Sequence, residues 1–471
     1  MSRVPEKRDE GGNLIGTVVS VFQPDEIADG HYVYHRDTVR QRFHTTVQGA
    51  IISLADILPG KAPIEDSDRP ENLVDTLRYT KPAAMDAADL SKARLAESPW
   101  SDDYWAIYLG ILGKRYADPS FPASQDWEDN YEYVRSRPFH EIVRSGDAAA
   151  IDRLSPSEKY DLLVGDPKGT LTGAMWAEGK SYHDANGSVE PWMGICHGWA
   201  PASYMLPRPR KVVTALAADG RTNLRFYPSD IKALASLLWA NARTVTKFIG
   251  SRSNDKDPET DEVGRVTSSR VFDTNPGTWH MSVVNQIGAA RRSLVMDATY
   301  DYEVWNQPVH GYEYYYWNPQ SMQWAANLAG ATVPRAQFTK DRFAKYRTRS
   351  FATVAGVAMR VRYVVETSPS HRESDAASND AIRTVDYYYD LELDGEGTIL
   401  GGEWYLNRHP DFLWTPPPGA RARTPSDQFA TGSFSPREAM PEAWRKAAWR
   451  AAANGMPLAR IVEQLIQLAN A

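Results

Sequence analysis

The single cysteine of the chain, Cys196, is the residue whose type and surroundings most strongly suggest covalent chemistry. It lies within residues 191–201, where two tryptophans, two glycines and two prolines surround the thiol. A thiolate is a nucleophile, and the free N–H groups at the start of a helix lower the pKa of a thiol and bind an oxyanion. We therefore predict a helix that begins near Cys196 and a thiol that acts as a nucleophile. The alternative for a lone cysteine is an inert buried side chain.

Two later residues supply the partners that a nucleophilic thiol needs. His280 follows a turn and begins an apolar run, and Asp297 ends the apolar run 294–296. The order Cys, His, Asp is that of papain-like enzymes, whose last two members lie on neighbouring antiparallel strands. We therefore predict a catalytic triad in which Cys196 is the nucleophile, His280 its base and Asp297 the residue that orients the imidazole. His280 alone suits a core histidine and Asp297 alone a turn, so only the ordered set is informative.

Neighbouring strands must carry the last two members of this triad. Residues 280–287 and 293–299 are short β-prone runs, and residues 288–292 between them predict a hairpin connection. The sequence thus predicts that His280 and Asp297 lie side by side on an antiparallel pair.

The oxyanion of such a reaction needs a second hydrogen-bond donor besides the N–H of Cys196. Trp192 and Trp176 are the candidates for this donor, with simple packing as the alternative for both. The aromatic segments 192–199 and 312–317 are candidates for the walls of a cleft that excludes water, with ordinary packing again as the alternative.

A coarse pattern of elements surrounds these residues. Residues 1–150 predict a mostly helical N-terminal region, residues 151–420 the catalytic core and residues 421–471 a C-terminal helical segment. Helices are predicted at 38–58, 105–114, 229–248, 441–453 and 457–468, and strands at 357–365, 385–393 and 398–405. The predicted fold class is therefore α+β with an antiparallel sheet.

The composition argues against several classes of function. With 471 residues, 42% of them apolar, the chain is long enough for roughly two to three domains with a substantial core. Its 53 basic and 60 acidic residues give a net charge of −7, which offers no broad attraction for nucleic acid or for an anionic membrane. The first residues lack the apolar stretch of a signal peptide, which fits a cytoplasmic protein or a mature form whose leader was removed. A single cysteine allows no intrachain disulfide and no thiolate-rich zinc site.

Two segments match ligand-binding loops in part. Residues 174–181, AMWAEGKS, fit a relaxed phosphate-binding loop, but the Asn-Gly pair and the proline that follow do not suit the helix that such a loop needs. We predict a solvated loop there. Residues 255–262 gather five carboxylates and also predict a solvated loop, with Ca²⁺ binding as the alternative. The predicted chemistry requires no cofactor and no metal.

Directly after Asp297, residues 303–312 read EVWNQPVHGY, and this stretch resembles the hallmark peptide of the transglutaminase elicitor family of oomycetes and bacteria. Plant immune systems recognise that peptide in the oomycete members. The residues that carry the resemblance are Trp305, Asn306, Gln307, Pro308 and Gly311. Further similar segments, which bring the resemblance to most of residues 95–415, are 98–105, 115–119, 191–201, 275–285, 294–299, 402–405 and 409–411.

The resemblance implies protein-glutamine γ-glutamyltransferase activity on a papain-like core, with Cys196, His280 and Asp297 at the family's catalytic positions. It implies protein substrates, one that donates a glutamine and one that offers a lysine or another primary amine, and it implies secretion. The peptide departs from the oomycete form at His310 and at residues 312–314, which bears on elicitor activity rather than on catalysis. The same triad would also serve a cysteine protease or a glutamine deamidase, and a recognition module with a vestigial triad is the alternative outside enzymes.

Overall fold

The computed structural model describes residues 64, 66–251, 274–298, 304–405 and 409–471, together with five short strands near the N-terminus. The helix predicted at residues 38–58 and the acidic run at residues 255–262 lie outside the described residues. Among the residues that are described, no helix is both long enough and apolar enough to cross a membrane.

Helices and strands are interspersed along the chain. The helices of the described residues are α1 (Pro82–Ala87), α2 (Trp127–Arg135), α3 (Phe139–Ser145), α4 (Ala148–Asp152), α5 (Pro156–Val164), α6 (Thr170–Asn186), α7 (Cys196–Met205), α8 (Pro228–Asn241), α9 (Pro276–Val283), α10 (Leu328–Ala331), α11 (Glu442–Ala452) and α12 (Ala459–Asn470). The strands are β1 (Glu6–Arg8), β2 (Leu14–Thr17), β3 (Val19–Ser20), β4 (Glu26–Ala28), β5 (His31–Val33), β6 (Lys92–Arg94), β7 (Met193–Gly194), β8 (Val213–Leu216), β9 (Asn223–Phe226), β10 (Lys247–Gly250), β11 (Val295–Asp297), β12 (Asn306–Asn318), β13 (Gln323–Ala325), β14 (Thr332–Pro334), β15 (Thr353–Val365), β16 (Ala381–Leu393), β17 (Ile399–Gly401) and β18 (Phe412–Thr415).

The main sheet has ten strands, and every pairing within it is antiparallel. Its strands follow the order β10-β18-β11-β12-β15-β16-β17, with β6 and β13 also paired to β12, and β14 to β15. The helix α7 packs against β12 and against α8. The predictions of an α+β fold and of an antiparallel sheet are therefore confirmed.

Elements with strong local signals lie where the sequence predicts them. The helix predicted at 229–248 is α8, which begins at Pro228, a residue suited to the first helical position. It ends at Asn241, so the predicted end is wrong by seven residues and overlaps β10. The two C-terminal helices are α11 and α12, and Gly455, with φ of 69°, lies in the turn between them. The long strands β15 and β16 contain the predicted strands 357–365 and 385–393.

The strand predicted at residues 280–287 is wrong, because His280 lies on α9, which a π-helical turn (Val284–Ala289) continues. Pro276 occupies the first turn of α9, and the side chain of Asn275 accepts a hydrogen bond from the N–H of Gly277 at 2.9 Å, so the helix start is well capped. Every residue of α9 is buried. A helix buried on all sides has no polar face, so its apolar run resembles that of a strand. The hairpin predicted at 288–292 is also wrong, because no strand precedes it: the π-helical turn that continues α9 extends to Ala289.

Two further local predictions are wrong. Residues 174–181 lie inside α6 and do not form a solvated loop; Gly187, with φ of 76°, ends this helix, so the Asn-Gly pair is its stop signal. The helix predicted at 105–114 is a pair of single 3₁₀ turns separated by Gly110, whose φ of 83° interrupts a helix.

One connected apolar core extends from Leu73 to Ala469. It includes residues of α5, α7, α8, α11 and α12 and of the central strands of the sheet. The three predicted segments of the chain therefore contribute to the same core.

Candidate active site

Cys196 is the first residue of α7, as the sequence predicts, and its side chain is fully buried. The chain enters the helix along a fixed path, because the N–H of Ile195 donates to the backbone oxygen of Tyr104 at 2.8 Å. A Cβ at Gly194 would collide with that same oxygen, so only glycine fits at this position, two residues before Cys196. The thiol thus lies at the N-terminal end of a helix, where free N–H groups favour negative charge.

The strands β11 and β12 face the thiol. Asp297 and Asn306 lie opposite each other on these strands, so their side chains share one face of the sheet. The side-chain amide of Asn306 donates from Nδ2 to Sγ of Cys196 at 3.7 Å. The carboxylate of Asp297 accepts the N–H of Trp305 at 2.7 Å. The structure therefore brings Asp297 into the surroundings of Cys196, with Asn306 in direct contact with the sulfur.

Opposing effects act on the pKa of the Cys196 thiol. Burial raises this pKa well above its usual value, and the negative charges of Glu366 and Asp297 raise it further. Hydrogen bonds from the backbone and the side chain of Asn306 lower it. A buried thiol among carboxylates stays protonated unless a proton acceptor and hydrogen-bond donors oppose those effects.

Glu366 is a fully buried acid that follows the end of β15. Its Oε1 accepts a hydrogen bond from Nε2 of Gln307 at 2.8 Å, and its Oε2 has no hydrogen-bond partner among the described residues. Burial raises the pKa of this carboxyl to about 7. Gln307 follows Asn306 on β12 and points to the opposite face of the sheet, so the link of Glu366 to Cys196 is the effect of its charge on the thiol.

His280 lies elsewhere. Its Nδ1 is 2.7 Å from the hydroxyl of Tyr389, and its Nε2 forms no hydrogen bond within the described part of the chain. Burial lowers the pKa of His280 to about 3, so the imidazole is neutral. The ring of His280 packs 4.9 Å from that of Tyr314, which is eight residues along β12 from Asn306, or roughly 26 Å of extended strand. The predicted contacts of His280 with Cys196 and Asp297 are thus not formed.

The two tryptophans predicted as oxyanion donors are both buried. Trp176 packs beside Tyr131, with ring centroids 5.7 Å apart, and its indole nitrogen lies against Gly113. Trp176 therefore belongs to an aromatic cluster that packs against the two 3₁₀ turns on either side of Gly110. Trp192 lies just before β7 and remains a predicted donor.

The peptide that carries the family resemblance forms the start of a central strand. Trp305 and Gln307 are fully buried, and Asn306 is 2% exposed. Pro308 and Gly311 are also buried, and Gly311 pairs with Arg94 of β6. The resembling residues therefore connect the sheet to the site of Cys196 and do not form an exposed loop.

Sequence reasoning missed the roles of three residues near the thiol. The sequence singles out Asn306 only as part of the resembling peptide, and Glu366 only follows an apolar run. Trp414, whose indole N–H donates to Oδ1 of Asn306 at 2.7 Å, begins a proline-rich stretch (residues 414–419) that predicts a linker. Among the described residues, no group of three histidine, cysteine, aspartate or glutamate side chains is placed to hold a metal ion.

A family model described as Transglutaminase elicitor matches residues 78–427. Among solved structures, the chain is similar to the crystal structure of the GP42 transglutaminase from Phytophthora sojae, with 21% sequence identity, a TM-score of 0.47 and coverage of 71% of this chain and 86% of that chain. A search of curated proteins found no match. Because the family model covers more than half of the chain, including Cys196 and the strands that face it, the chain belongs to the transglutaminase elicitor family.

Proposed function

We propose that the protein is a protein-glutamine γ-glutamyltransferase, which transfers the acyl group of a glutamine side chain through a Cys196 thioester to a lysine or another primary amine. The observation that carries the proposal is the setting of Cys196, at the first turn of α7 and in contact with the amide of Asn306, in a chain of the transglutaminase elicitor family. A nucleophile helix packed against an antiparallel sheet agrees with a papain-like core, which is part of the proposal.

The reaction has two halves. The thiolate attacks the γ-carboxamide carbon, a C–S bond forms, the C–N bond breaks, and ammonia leaves after it takes up a proton. The amine of the second substrate then attacks the thioester carbon, loses a proton, and releases the thiolate as the isopeptide bond forms. N–H groups at the start of α7 stabilise the oxyanion in both halves.

The thiol proton needs an acceptor close to Cys196, and we assign this role to Glu366. The negative charge of Glu366 disfavours the thiolate and the thiolate disfavours the carboxylate, so the pair holds one proton more readily than none. A carboxyl whose pKa lies near neutral pH is well matched to accept and return that proton. Asp297 stays in the proposed site as the charged neighbour that faces Asn306 across β11 and β12.

The fully buried position of the thiol has a consequence for substrates. A protein glutamine reaches Cys196 only if the walls around it move apart, and the walls exclude water when they close again. Exclusion of water favours attack on the thioester by an amine over hydrolysis. Protein substrates, rather than nucleic acid or membrane, are the proposed partners.

The test is incubation with a glutamine-containing protein and a labelled primary amine, scored for amine incorporation and for ammonia release. We expect the wild-type protein to incorporate the amine, and Cys196→Ala and Cys196→Ser to lose both signals. Because Cys196 is fully buried, Cys196→Ala should also cost about 1 kcal/mol of unfolding free energy through its cavity.

Ser203→Ala serves as the control, since Ser203 is a buried residue of the same helix that donates to the oxygen of Ala200 at 2.6 Å. It should keep full activity. Unchanged amine incorporation in Cys196→Ala would overturn the proposal. Ammonia release without amine incorporation by the wild-type protein would instead identify a glutamine hydrolase.

A further inference from the structure

We propose that Asn306 is the second oxyanion donor of the active site, and that Trp414 is the residue that positions it. The inference rests on the proposed function of Cys196. Trp192 stays a candidate from the sequence, whereas the side chain of Asn306 is hydrogen-bonded to the sulfur itself.

The direction of the Asn306 amide is fixed by its two contacts. The indole N–H of Trp414 can only donate, and it lies 2.7 Å from Oδ1 of Asn306. The oxygen of the amide must therefore face Trp414, and the Nδ2 group must face Sγ of Cys196, 3.7 Å away. The contact with Trp414 thus determines which end of the amide meets the reacting atom.

The sheet holds this pair rigidly. The strand β11 lies between β12 and β18, with Asp297 opposite Asn306 on one side and Val295 opposite Trp414 on the other. Asn306 is 2% exposed, so its donor group acts away from water. A donor held in place before the reaction loses no free energy to reorganisation when charge develops.

The same donor serves two charges in sequence. Before attack, the backbone and side chain of Asn306 donate hydrogen bonds that favour the thiolate. When the C–S bond forms, the sulfur loses its negative charge and the substrate carbonyl oxygen gains it. The side-chain amide is then free to donate to that oxygen, which is attached to the carbon bonded to Sγ.

The experiment compares Asn306→Ala, Asn306→Asp and Trp414→Phe with the wild-type protein. One readout is the pH profile of thiol alkylation by iodoacetamide, which needs no substrate turnover. The other is kcat and KM for amine incorporation. Asn318→Ala and Trp404→Phe are the controls, because they remove an amide and an indole donor whose partners are the oxygens of Gly330 and Thr274.

We expect Asn306→Ala to lower kcat about 10²- to 10³-fold, which is the usual effect of removing one oxyanion donor, and to raise the apparent pKa of the thiol. The kcat of Asn306→Asp should be lower still, because this variant places a carboxylate beside the thiolate. Trp414→Phe keeps an aromatic ring at that position but lets the amide turn, so kcat should fall about 10-fold with KM little changed. Both controls should alkylate and react as the wild type does.

A wild-type kcat and alkylation profile in Asn306→Ala would overturn the donor role. A wild-type kcat in Trp414→Phe would overturn the positioning role. If Asn306→Ala fails to fold, Trp414→Phe still tests whether the orientation of the Asn306 amide matters for kcat. We expect that variant to fold, because its ring fills most of the indole volume. If the wild-type protein incorporates no amine, the proposed function fails, but the alkylation profile still shows whether Asn306 stabilises the thiolate.

Discussion

At the scale of single residues, Glu366 and His280 are rival proton acceptors for the thiol. Glu366 interacts electrostatically with Cys196, whereas the imidazole of His280 is hydrogen-bonded to Tyr389 and packs against a distant part of β12. We therefore propose Glu366, whose charge acts on the sulfur, for the acid–base role, and substitutions can separate it from His280.

Glu366→Gln should reduce kcat for amine incorporation about 10²-fold or more, because it keeps the size of the side chain but cannot accept a proton. His280→Asn should keep kcat of the folded protein within a few fold of the wild type. The assay is steady-state amine incorporation, with thermal unfolding to confirm that each variant folds. Loss of turnover in His280→Asn together with normal turnover in Glu366→Gln would restore the triad predicted from the sequence.

The buried imidazole of His280 should make stability depend on pH. The unfolded chain takes up a proton there near pH 6.5, but the folded protein takes it up only near pH 3, since burial lowers the pKa of His280 to about 3. The unfolded state thus binds more protons in this window, and the unfolding free energy contributed by His280 falls as pH drops from 6.5, by at most about 1.4 kcal/mol per pH unit.

Urea unfolding of the wild type and of His280→Phe at pH 7 and pH 5 checks this. The unfolding free energy of the wild type should exceed that of His280→Phe by less at pH 5 than at pH 7, since the variant lacks the titrating imidazole. Gly395→Ala is the control, because it changes no titrating group and no atom lies within 4 Å of its new Cβ; it should differ from the wild type equally at both pH values. An advantage that stays constant or grows at pH 5 would contradict the prediction.

At the scale of elements, β12 connects the site to the rest of the sheet. It pairs with β6, β11, β13 and β15, and its first residues carry the family resemblance. A strand paired on both sides and buried in a sheet opens only with global unfolding. Residues 305–311 are therefore buried within the sheet of the folded protein.

Gly311 is a position where the neighbouring strand β6 leaves no room for a side chain. A Cβ there would lie 2.8 Å from the backbone oxygen of Ala93 and 3.2 Å from Cα of Arg94, and backbone atoms of a paired strand cannot move aside easily. Gly311→Ala should therefore cost about 1–3 kcal/mol of unfolding free energy, as in other overpacked sites. Gly395→Ala is the matched control, because no atom lies within 4 Å of its new Cβ. Urea denaturation of both variants measures the difference, and equal stabilities would refute the constraint at Gly311.

At the scale of the whole molecule, the C-terminal helices are joined to the core that carries the site. The N–H of Leu458 donates to the hydroxyl of Tyr160 at 2.8 Å, Nε of Arg445 donates to the oxygen of Val164 at 3.0 Å, and the amide of Asn470 donates to the oxygen of Arg208 at 3.0 Å. The apolar core includes both helices, although the family match ends at residue 427.

Removal of residues 431–471 should therefore abolish cooperative unfolding or make the protein aggregate, because α5 and α8 would lose apolar cover. Differential scanning calorimetry of the full chain should show one transition, shared by the helices and the sheet. Lys446→Ala, which breaks only an exposed pair with Glu442, should leave the transition in place. A truncated protein with an unchanged melting temperature would show that the segment is independent.

The sequence by itself determined the elements whose signals are local. A helix start at Cys196, the helices α8, α11 and α12 and the strands β15 and β16 follow from periodicity, prolines and glycines within a few residues. The family resemblance also lies in short segments, so it too could be found without coordinates.

Only the tertiary structure decided which side chains meet the thiol. Asn306 lies 110 residues after Cys196, and Trp414 lies 108 residues after Asn306, so their contacts depend on how β11, β12 and β18 pair. A shift of one residue in that pairing would turn Asn306 to the other face of the sheet, and nothing local records the register. The helix that carries His280 could not be predicted from the sequence, because the surrounding structure buries all of its faces. The alternation of apolar and polar residues that distinguishes a helix from a strand is therefore absent.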